Sequence, residues 1–224
     1  MLKGIDVSHH NGQVDWPAVY KAGARFALIK ATEGTSYVDG QLRTNLPAAR
    51  QAGLYVGLYH YFQPGEQPVA QANHLLRTVQ RITRLEPATR AFRNLLVPFL
   101  DLEEAGGLSR DRLVNSALSF IKRVRAVLGR GCVVYTYPAF ITEHLAGAKN
   151  AQWLGGYPLW IASYTKSRQA RGKPRIPAGV WPPDVWSFWQ YTDHGTWPGV
   201  PGEGSVDLDV FWGRVQEIEG LVCP

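Results

Sequence analysis

The sequence predicts an α/β fold, namely an irregular β/α barrel (TIM-like) with eight mainly parallel strands and few helices in its C-terminal third. Eight short runs rich in β-branched and aromatic residues are bounded by turn residues, which is typical of strands. Helix-like stretches separate the first runs, and this alternation indicates parallel pairing. After residue 150 only loops rich in proline and glycine separate the runs, which predicts irregularity on that side.

The predicted elements follow one another in the order that such a barrel requires. The fourth helix-like stretch is the clearest, because Ser109 and Asp111 stand where capping residues are common. The predicted strands are 3–7, 26–31, 54–62, 95–102, 132–137, 158–163, 186–191 and 205–210. The predicted helices are 16–23, 40–52, 67–84, 109–129 and 138–147.

Length and composition favour one enzyme domain over residues 1–224. The 224 residues suffice for one large domain, although a complete β/α barrel has roughly 250. Hydrophobic residues make up 45% and charged residues 19%, and no apolar run approaches the ~20 residues of a membrane-spanning helix, so no membrane insertion is predicted. Cys132 and Cys223 are too few for a disulfide framework and are expected to be free thiols.

The formal net charge of +6 favours an anionic partner. Nucleic acid, a membrane surface and an anionic polymer all fit this charge. The basic residues are scattered, however, and the chain has no Lys/Arg-rich run or nucleic-acid-binding motif, so no nucleic-acid partner is predicted.

Asp101 and Glu103 are the most informative residues, because they end the apolar run 95–102 with two carboxylates at positions i and i+2. Side chains two apart on a strand share a face, which places these acids roughly 6–7 Å apart at the backbone where the strand leaves the core. Glycoside hydrolysis needs such a pair. Acids at a strand end also serve as helix caps or ion-pair partners, so the pair alone leaves the function open.

Function in a β/α barrel collects at the C-terminal ends of the strands, and in this sequence those ends are polar and aromatic. Four carboxylates are expected to converge on one mouth, which a purely structural end would not need, since uncompensated buried charge is costly. They are Asp6, Asp101, Glu103 and Asp207, with Asp207 taken as the end of the eighth strand.

A set of motifs over nearly the whole chain is specific in combination. The motifs are Gly4–Gly12 (GIDVSHHNG), Val14–Trp16, Ile29–Gly34 (IKATEG) with Tyr37 and Asp39, Gly53–Phe62 (GLYVGLYHYF), Pro98–Glu103 (PFLDLE), Leu159–Tyr164 (LWIASY), Trp189–Thr192 (WQYT) and Val206–Asp209 (VDLD). Through them the chain resembles the family 25 glycoside hydrolases, the CH-type lysozymes that cleave bacterial cell-wall peptidoglycan.

The resemblance implies that Glu103 is the general acid that protonates the glycosidic oxygen, with Asp6, Asp101 and Asp207 in the same cleft. A proton donor at neutral pH needs a raised pKa, and we expect the carboxylate at i−2 to raise that of Glu103 while Asp101 stays ionised. Asp101 is left with three roles, namely nucleophile, base for water, or partner of the substrate's 2-acetamido group. Asp209 stands where the family commonly has Asn.

Side chains at the strand ends beside the acids are predicted to contact the saccharide, since aromatic rings pack on sugar CH groups. They are Glu33, His60, Tyr61, Tyr135, Tyr137, Tyr164, Gln190 and Tyr191. His9 and His10 raise the alternative of a divalent-metal hydrolase, but no His-x-His or HExxH spacing supports it, so no metal and no cofactor is predicted. One of these histidines is expected instead to hydrogen-bond a cleft acid or the substrate.

The favoured interpretation is a monomeric N-acetylmuramidase without a separate cell-wall-binding module, which hydrolyses the β-1,4 bond between N-acetylmuramic acid and N-acetylglucosamine. The alternatives are a catalytically weak wall-binding module on the same barrel and a metal-dependent deacetylase or amidase. The N-terminal segment shows no secretory signal. We therefore expect a protein made in the cytoplasm that acts on the cell wall after release, as a phage endolysin does.

Overall fold

The computed structural model describes residues 1–167, 169–201 and 206–224, and its strands form one sheet that closes into a barrel. The strands are β1 (Leu2–Val7), β2 (Ala24–Glu33), β3 (Tyr37–Val38), β4 (Tyr55–Tyr61), β5 (Phe99–Asp101), β6 (Val133–Thr136), β7 (Leu159–Ala162), β8 (Phe188–Gly195) and β9 (Val206–Phe211). Within these ranges β1 pairs with both β2 and β9, which closes an eight-stranded ring, and β3 pairs antiparallel with the C-terminal end of β2.

The eight barrel strands correspond to the eight predicted ones, which confirms the predicted fold class. Strand β5, which was predicted as the fourth strand over residues 95–102, is shorter than predicted and spans only Phe99–Asp101. Residue 205, where the last strand was predicted to begin, lies outside the described residues.

The last barrel strand runs opposite to its neighbours. β9 pairs antiparallel with β8 and β1, whereas every other pair of neighbours in the ring is parallel. Residues 196–205 are too few for a parallel crossover, which needs roughly a dozen or more residues. Asp207 therefore lies near the start of its strand, not at its end as predicted. It still reaches the mouth, since it pairs with Asp6 near the C-terminal end of β1.

The helices are α1 (Trp16–Lys21), α2 (Leu42–Gln51), α3 (Pro68–Thr83), α4 (Ala88–Ala91), α5 (Arg110–Leu128), α6 (Pro138–Phe140), α7 (Ala151–Leu154) and α8 (Val215–Glu219). The five predicted helices are present, the last as α6 continued by a π-helical turn at Ile141–Leu145. The prediction missed α4, α7 and α8, because helices of four or five residues are too short to show a periodic pattern. None of the described helices is long and apolar enough to cross a membrane.

The clearest predicted helix, α5, begins directly after Ser109. The Ser109 side chain makes no capping hydrogen bond, and Asp111 Oδ1 instead accepts from the backbone N–H of Lys149 at 2.9 Å. The apolar face of α5 recurs every three or four residues and is buried against the barrel, as expected for an amphipathic helix. Its buried residues are Leu113, Val114, Ala117, Leu118, Phe120, Ile121, Val124 and Leu128.

Aromatic rings fill the barrel interior below the mouth. Phe188 packs edge-to-face against Phe26 and Phe99, with ring centroids 5.3 and 5.2 Å apart. Glycine stands where a ring needs room, since a Cβ on Gly4 or on Gly57 would lie 2.4 Å from the ring of Phe26 or Phe99, respectively. This packed layer forms the floor beneath the side chains at the mouth. The two cysteines, Cys132 and Cys223, are buried free thiols, as predicted.

Candidate active site

A cavity of about 180 Å³ opens at the mouth, where the C-terminal ends of the parallel strands meet the start of β9. Its wall contains all four predicted carboxylates together with one cation and several aromatic rings. The lining residues are Asp6, Ser8, His10, Lys30, Tyr59, Tyr61, Asp101, Glu103, Tyr135, Trp160, Gln190 and Asp207. The topology therefore brings together acids from opposite ends of the chain, such as Asp6 and Asp207.

Asp101 ends β5, and Glu103 follows where the backbone leaves the sheet. Asp101 is buried, and its Oδ1 has no hydrogen-bond partner among the described residues. Burial, and then the charge of Glu103, raises the pKa of Asp101 well above its ordinary value. Burial, and then the charge of Glu104, raises the pKa of the less buried Glu103. Both carboxyls thus keep their protons to a higher pH than free carboxyls, which a general acid requires.

These electrostatics differ in two ways from those predicted. The neighbour that raises the pKa of Glu103 most is Glu104 rather than Asp101. Asp101 itself has a raised pKa, whereas we expected it to stay ionised. The reason is that Asp101 lies inside the barrel wall, where a charged carboxylate loses most of its hydration.

Lys30 on β2 supplies positive charge at the mouth and was not predicted as a site residue. Its side chain is 14% exposed, its Nζ donates to Glu33 Oε2 at 2.8 Å, and it lies 4.9 Å from the ring centroid of Tyr61. It lowers the pKa of both Asp101 and Glu103, against the larger effect of burial. The sequence feature that could have indicated Lys30 is a lysine within the apolar run 26–31, because a buried cation needs an anionic partner nearby.

Gln190 on β8 links two tyrosines to Asp6. Its Oε1 accepts hydrogen bonds from the hydroxyls of Tyr135 and Tyr164, each at 3.0 Å, and its Nε2 donates to Asp6 Oδ2 at 2.7 Å. The two hydroxyl donors fix the orientation of the amide, so its N–H points at the carboxyl. Three of the predicted saccharide contacts therefore act together to position Asp6.

A cluster of three acids lies where β9 meets β1. Asp209 is fully buried; Trp160 Nε1 donates to its Oδ1 at 2.8 Å, and its Oδ2 has no donor among the described residues. Besides burial, the charge of Asp209 raises the pKa of Asp6, and the charge of Asp6 raises that of Asp207, because neighbouring like charges disfavour ionisation. Burial is the largest cause that raises the pKa of all three acids, and with the charge of Asp6 it raises that of Asp207 to about 9.

His60 lies outside the cavity, contrary to the prediction. Side chains alternate along β4, so the residues on either side of His60 face the mouth while His60 faces the surrounding helices. Its Nδ1 is 2.8 Å from Thr32 Oγ1, its Nε2 is 3.0 Å from Gln71 Oε1, and its ring stacks on Phe120. Burial lowers the pKa of His60 to about 4, so it is a neutral structural residue.

Four other predicted contacts also lie outside the cavity lining, and one of them, Tyr164, hydrogen-bonds to the lining residue Gln190. Tyr191 is buried and packs edge-on against Trp189, with ring centroids 6.1 Å apart. Tyr137 packs against Phe140, and Glu33 is held by Lys30. Of the eight predicted saccharide contacts, Tyr61, Tyr135 and Gln190 line the cavity, and Tyr164 reaches it through Gln190.

The two adjacent histidines, His9 and His10, lie in different surroundings. His10 lines the cavity, whereas His9 is bound to Asp39, whose Oδ2 lies 3.0 Å from the backbone nitrogen and 2.9 Å from Nδ1 of His9. Asp39 is not a cleft acid, so the hydrogen bond predicted for these histidines does not form through His9. In the described part of the chain, no three His, Cys, Asp or Glu side chains are grouped to hold a metal ion.

The arrangement provides a proton donor and further carboxyls at one small polar mouth. Glu103 is partly exposed and has a raised pKa, so it can reach a substrate and deliver a proton to it. The buried Asp101 stands beside it, as hydrolysis of a glycosidic bond requires. Tyrosine rings and hydroxyls in the same wall fit a substrate rich in hydroxyl groups.

Known proteins match this chain over almost its whole length. The family described as glycosyl hydrolases family 25 matches residues 5–200. Lysozyme M1 of Streptomyces globisporus is 32% identical over 98% of this chain and 71% of its own length, and the N,O-diacetylmuramidase of Chalaropsis sp. is 32% identical over 92% and 96%. The crystal structure of the bacterial lysozyme from Streptomyces coelicolor superposes with a TM-score of 0.81 at 30% identity, covering 99% of this chain and 96% of the other. The chain therefore belongs to glycosyl hydrolases family 25.

Proposed function

We propose that this glycoside hydrolase cleaves the β-1,4 bond between N-acetylmuramic acid and N-acetylglucosamine in bacterial peptidoglycan. The observation that carries the proposal is the pair Asp101 and Glu103 at the mouth of a family 25 barrel. The relatives named lysozyme and N,O-diacetylmuramidase support this substrate. The proposal includes action as a monomer on the cell wall, after synthesis in the cytoplasm and release.

Glu103 acts as the general acid in this proposal. It is the member of the pair that is partly exposed, so it can donate a proton to a glycosidic oxygen at the mouth. Its raised pKa keeps that proton in place at a higher pH than an ordinary glutamic acid would. Asp6, held by Gln190, and Asp207 complete the acidic wall beside the scissile bond.

Asp101 has a feature that favours one of its three open roles. Asp101 lines the cavity, and its carboxyl makes no hydrogen bond within the described residues, so the part that faces the cavity is free to accept one from the substrate. The N–H of the 2-acetamido group is a donor of the right kind, which favours Asp101 as the partner of that group. In that role it orients the acetamido oxygen toward the anomeric carbon, and the initial product retains its anomeric configuration. Proton NMR of the first product would distinguish retention from the inversion expected of a base for water.

Mass spectrometry of digested peptidoglycan tests the proposed bond and the proposed acid together. Wild type should release fragments with new reducing-end muramic acid, which borohydride reduction marks. Glu103→Gln should lower that rate by about 10²–10⁴-fold, since it removes the proton donor. Glu143→Gln is the matched control, because Glu143 is an exposed glutamate outside the cavity lining, and it should retain most activity.

Other outcomes would favour the alternative functions. Glycan strands left intact by wild type, with the protein still bound to them, would indicate a wall-binding module. Release of acetate or of peptides without new reducing ends, and its loss on addition of a chelator, would indicate a metal-dependent deacetylase or amidase.

A further inference from the structure

A second groove, larger than the catalytic cavity, lies on the outer surface of the barrel between α5 and α7. Its volume is about 590 Å³, which falls within the roughly 300–1,000 Å³ typical of small-ligand sites. It is formed by residues from the middle and end of α5, from α7 and from the segment before β7. These residues share nothing with the lining of the catalytic cavity, so the groove is a separate site.

An exposed tryptophan forms part of this groove. Trp153 is 66% exposed, although a tryptophan ring normally gains much stability from burial. Tyr157 lies in the same groove and is partly buried, so two aromatic side chains border one concave surface. Flat, accessible aromatic rings of this kind are suited to stacking on the CH face of a sugar.

The remaining groove residues are basic or carry amides. Lys122 and Arg125 lie one turn apart on α5, and within the described ranges their side chains make no hydrogen bond or ion pair. Asn115 and Asn150 bridge the two sides, with Asn150 Nδ2 donating to Asn115 Oδ1 at 2.7 Å. Among the residues that the structure describes, the groove lining contains no acidic residue, whereas the catalytic cavity contains four. The groove is therefore complementary to an anion that also carries sugar rings and hydrogen-bonding groups.

We propose that this groove is a second binding site for the peptidoglycan glycan strand, in which Trp153 stacks on a sugar ring while Lys122 and Arg125 bind carboxylates of the attached peptides. The inference rests on the proposed function for the identity of the polymer. A second, basic site explains how a chain with a net charge of +6 can bind an anionic polymer although its catalytic mouth is acidic. The basic groove holds the anionic polymer, and the acidic mouth cleaves an uncharged bond.

Binding to insoluble sacculi, measured by sedimentation, tests this proposal without any need for cleavage. The protein is the full chain carrying Glu103→Gln, and the sacculi are stripped of wall phosphopolymers with hydrofluoric acid. We expect Trp153→Ala to weaken binding about fivefold and Trp153→Tyr, which keeps a ring, to weaken it less. Trp212→Ala is the matched control, because Trp212 is 59% exposed but lies outside the groove, and it should bind as the parent does.

The charged side of the groove provides an independent variant. Lys122→Gln combined with Arg125→Gln should also weaken binding about fivefold, and the remaining binding should depend less on salt, because screened charge pairs have been removed. If Trp153→Ala changes the thermal unfolding midpoint, its weaker binding could reflect a damaged fold, and the double charge variant then tests the proposed site. Equal binding by the parent and by the charge variant would refute the proposed site. Binding that is lost when the phosphopolymers are stripped would overturn it too, since the ligand would then be the phosphopolymer.

Activity on two substrates separates this proposal from the proposed function. In the catalytically intact protein, Trp153→Ala should lower the rate on insoluble sacculi several-fold and leave the rate on short soluble glycan fragments unchanged, because only the polymer reaches both sites. Equal losses on both substrates would contradict a separate binding site. If wild type cleaves neither substrate, the proposed function fails, and the sedimentation experiment still decides whether the groove binds the wall.

Discussion

At the scale of single residues, Lys30 on strand β2 influences the pKa values of Asp101 and Glu103 through its positive charge. It lowers the pKa of Glu103, while burial raises it. Lys30→Met keeps the volume and removes the charge, so the pKa of Glu103 should rise. Because a general acid is active only while protonated, the alkaline limb of the pH–rate profile should move to higher pH. The profile of kcat/KM on soluble glycan fragments measures this.

The matched control is Lys122→Met, which removes the same charge far from the mouth and should leave the profile in place. A shift of the Lys30→Met profile to lower pH would show that Lys30 does not act on Glu103 through its charge.

Asp209 is the second residue with a specific consequence. Its fully buried carboxyl accepts a hydrogen bond from Trp160, and burial raises its pKa well above the ordinary value. Asp209→Asn keeps the acceptor for Trp160, supplies an N–H toward Asp6 and removes one buried ionisable group. We expect the free energy of unfolding at pH 8 to increase by about 1–3 kcal/mol, since replacing a buried charge by a neutral group of the same shape is often stabilising.

Urea denaturation at constant ionic strength measures this change. The exposed Asp184, which forms a surface ion pair with Lys173, provides the control, and Asp184→Asn should change stability by less than about 1 kcal/mol. Loss of stability in Asp209→Asn would mean that the native state requires the carboxyl itself.

Much of the site was predictable from the sequence, because several carboxylates that converge on one end of a barrel are costly to bury without a function. All four predicted acids line one cavity. His60 was misplaced because the direction of a side chain depends on the exact strand register, which changes face with every residue. Lys30 was missed because a cation within an apolar strand becomes informative only when its anionic partners on other strands are known.

At the scale of elements, glycine on the inner face of the barrel makes room for aromatic rings. A Cβ on Gly57 of β4 would lie 2.4 Å from the Phe99 ring and 2.7 Å from Leu28 Cδ2. Gly57→Ala should therefore destabilise the protein by about 1–3 kcal/mol through overpacking. Urea denaturation tests this, with Gly40→Ala as the control, because a Cβ on Gly40 meets no atom within 4 Å. Equal stability of the two variants would show that the rings move aside without cost.

The predictability of the elements follows their length. The strands and the long helices α3 and α5 show clear periodic patterns, whereas the short helices α4 and α7 leave too few residues for a pattern to repeat. The direction of β9 could not be read from its own residues. It depends on the length of the connection from β8, since a short connection returns the chain antiparallel.

At the scale of the whole molecule, the buried acids make stability depend on pH. Asp6, Asp101, Glu103, Asp207 and Asp209 all have pKa values raised above their ordinary ones, mainly by burial. Between the ordinary and the raised values the folded state therefore binds more protons than the unfolded state. Stability then falls as pH rises, by about 1.4 kcal/mol per pH unit for each such proton.

We therefore expect a higher unfolding temperature at pH 5.5 than at pH 8.5, measured by calorimetry at constant ionic strength. This pH range was chosen because the acids ionise near their ordinary pKa of about 4 in the unfolded chain, whereas Asp207 ionises only near 9 in the folded protein. Asp209→Asn should make this dependence shallower, since one proton-binding group of the folded state is gone. A higher unfolding temperature at pH 8.5 would mean that these acids are ionised and stably paired in the folded protein. The burial that raises the pKa values of these carboxyls thus has two effects: it keeps a proton available for catalysis at the mouth, and it makes the folded protein less stable as the pH rises.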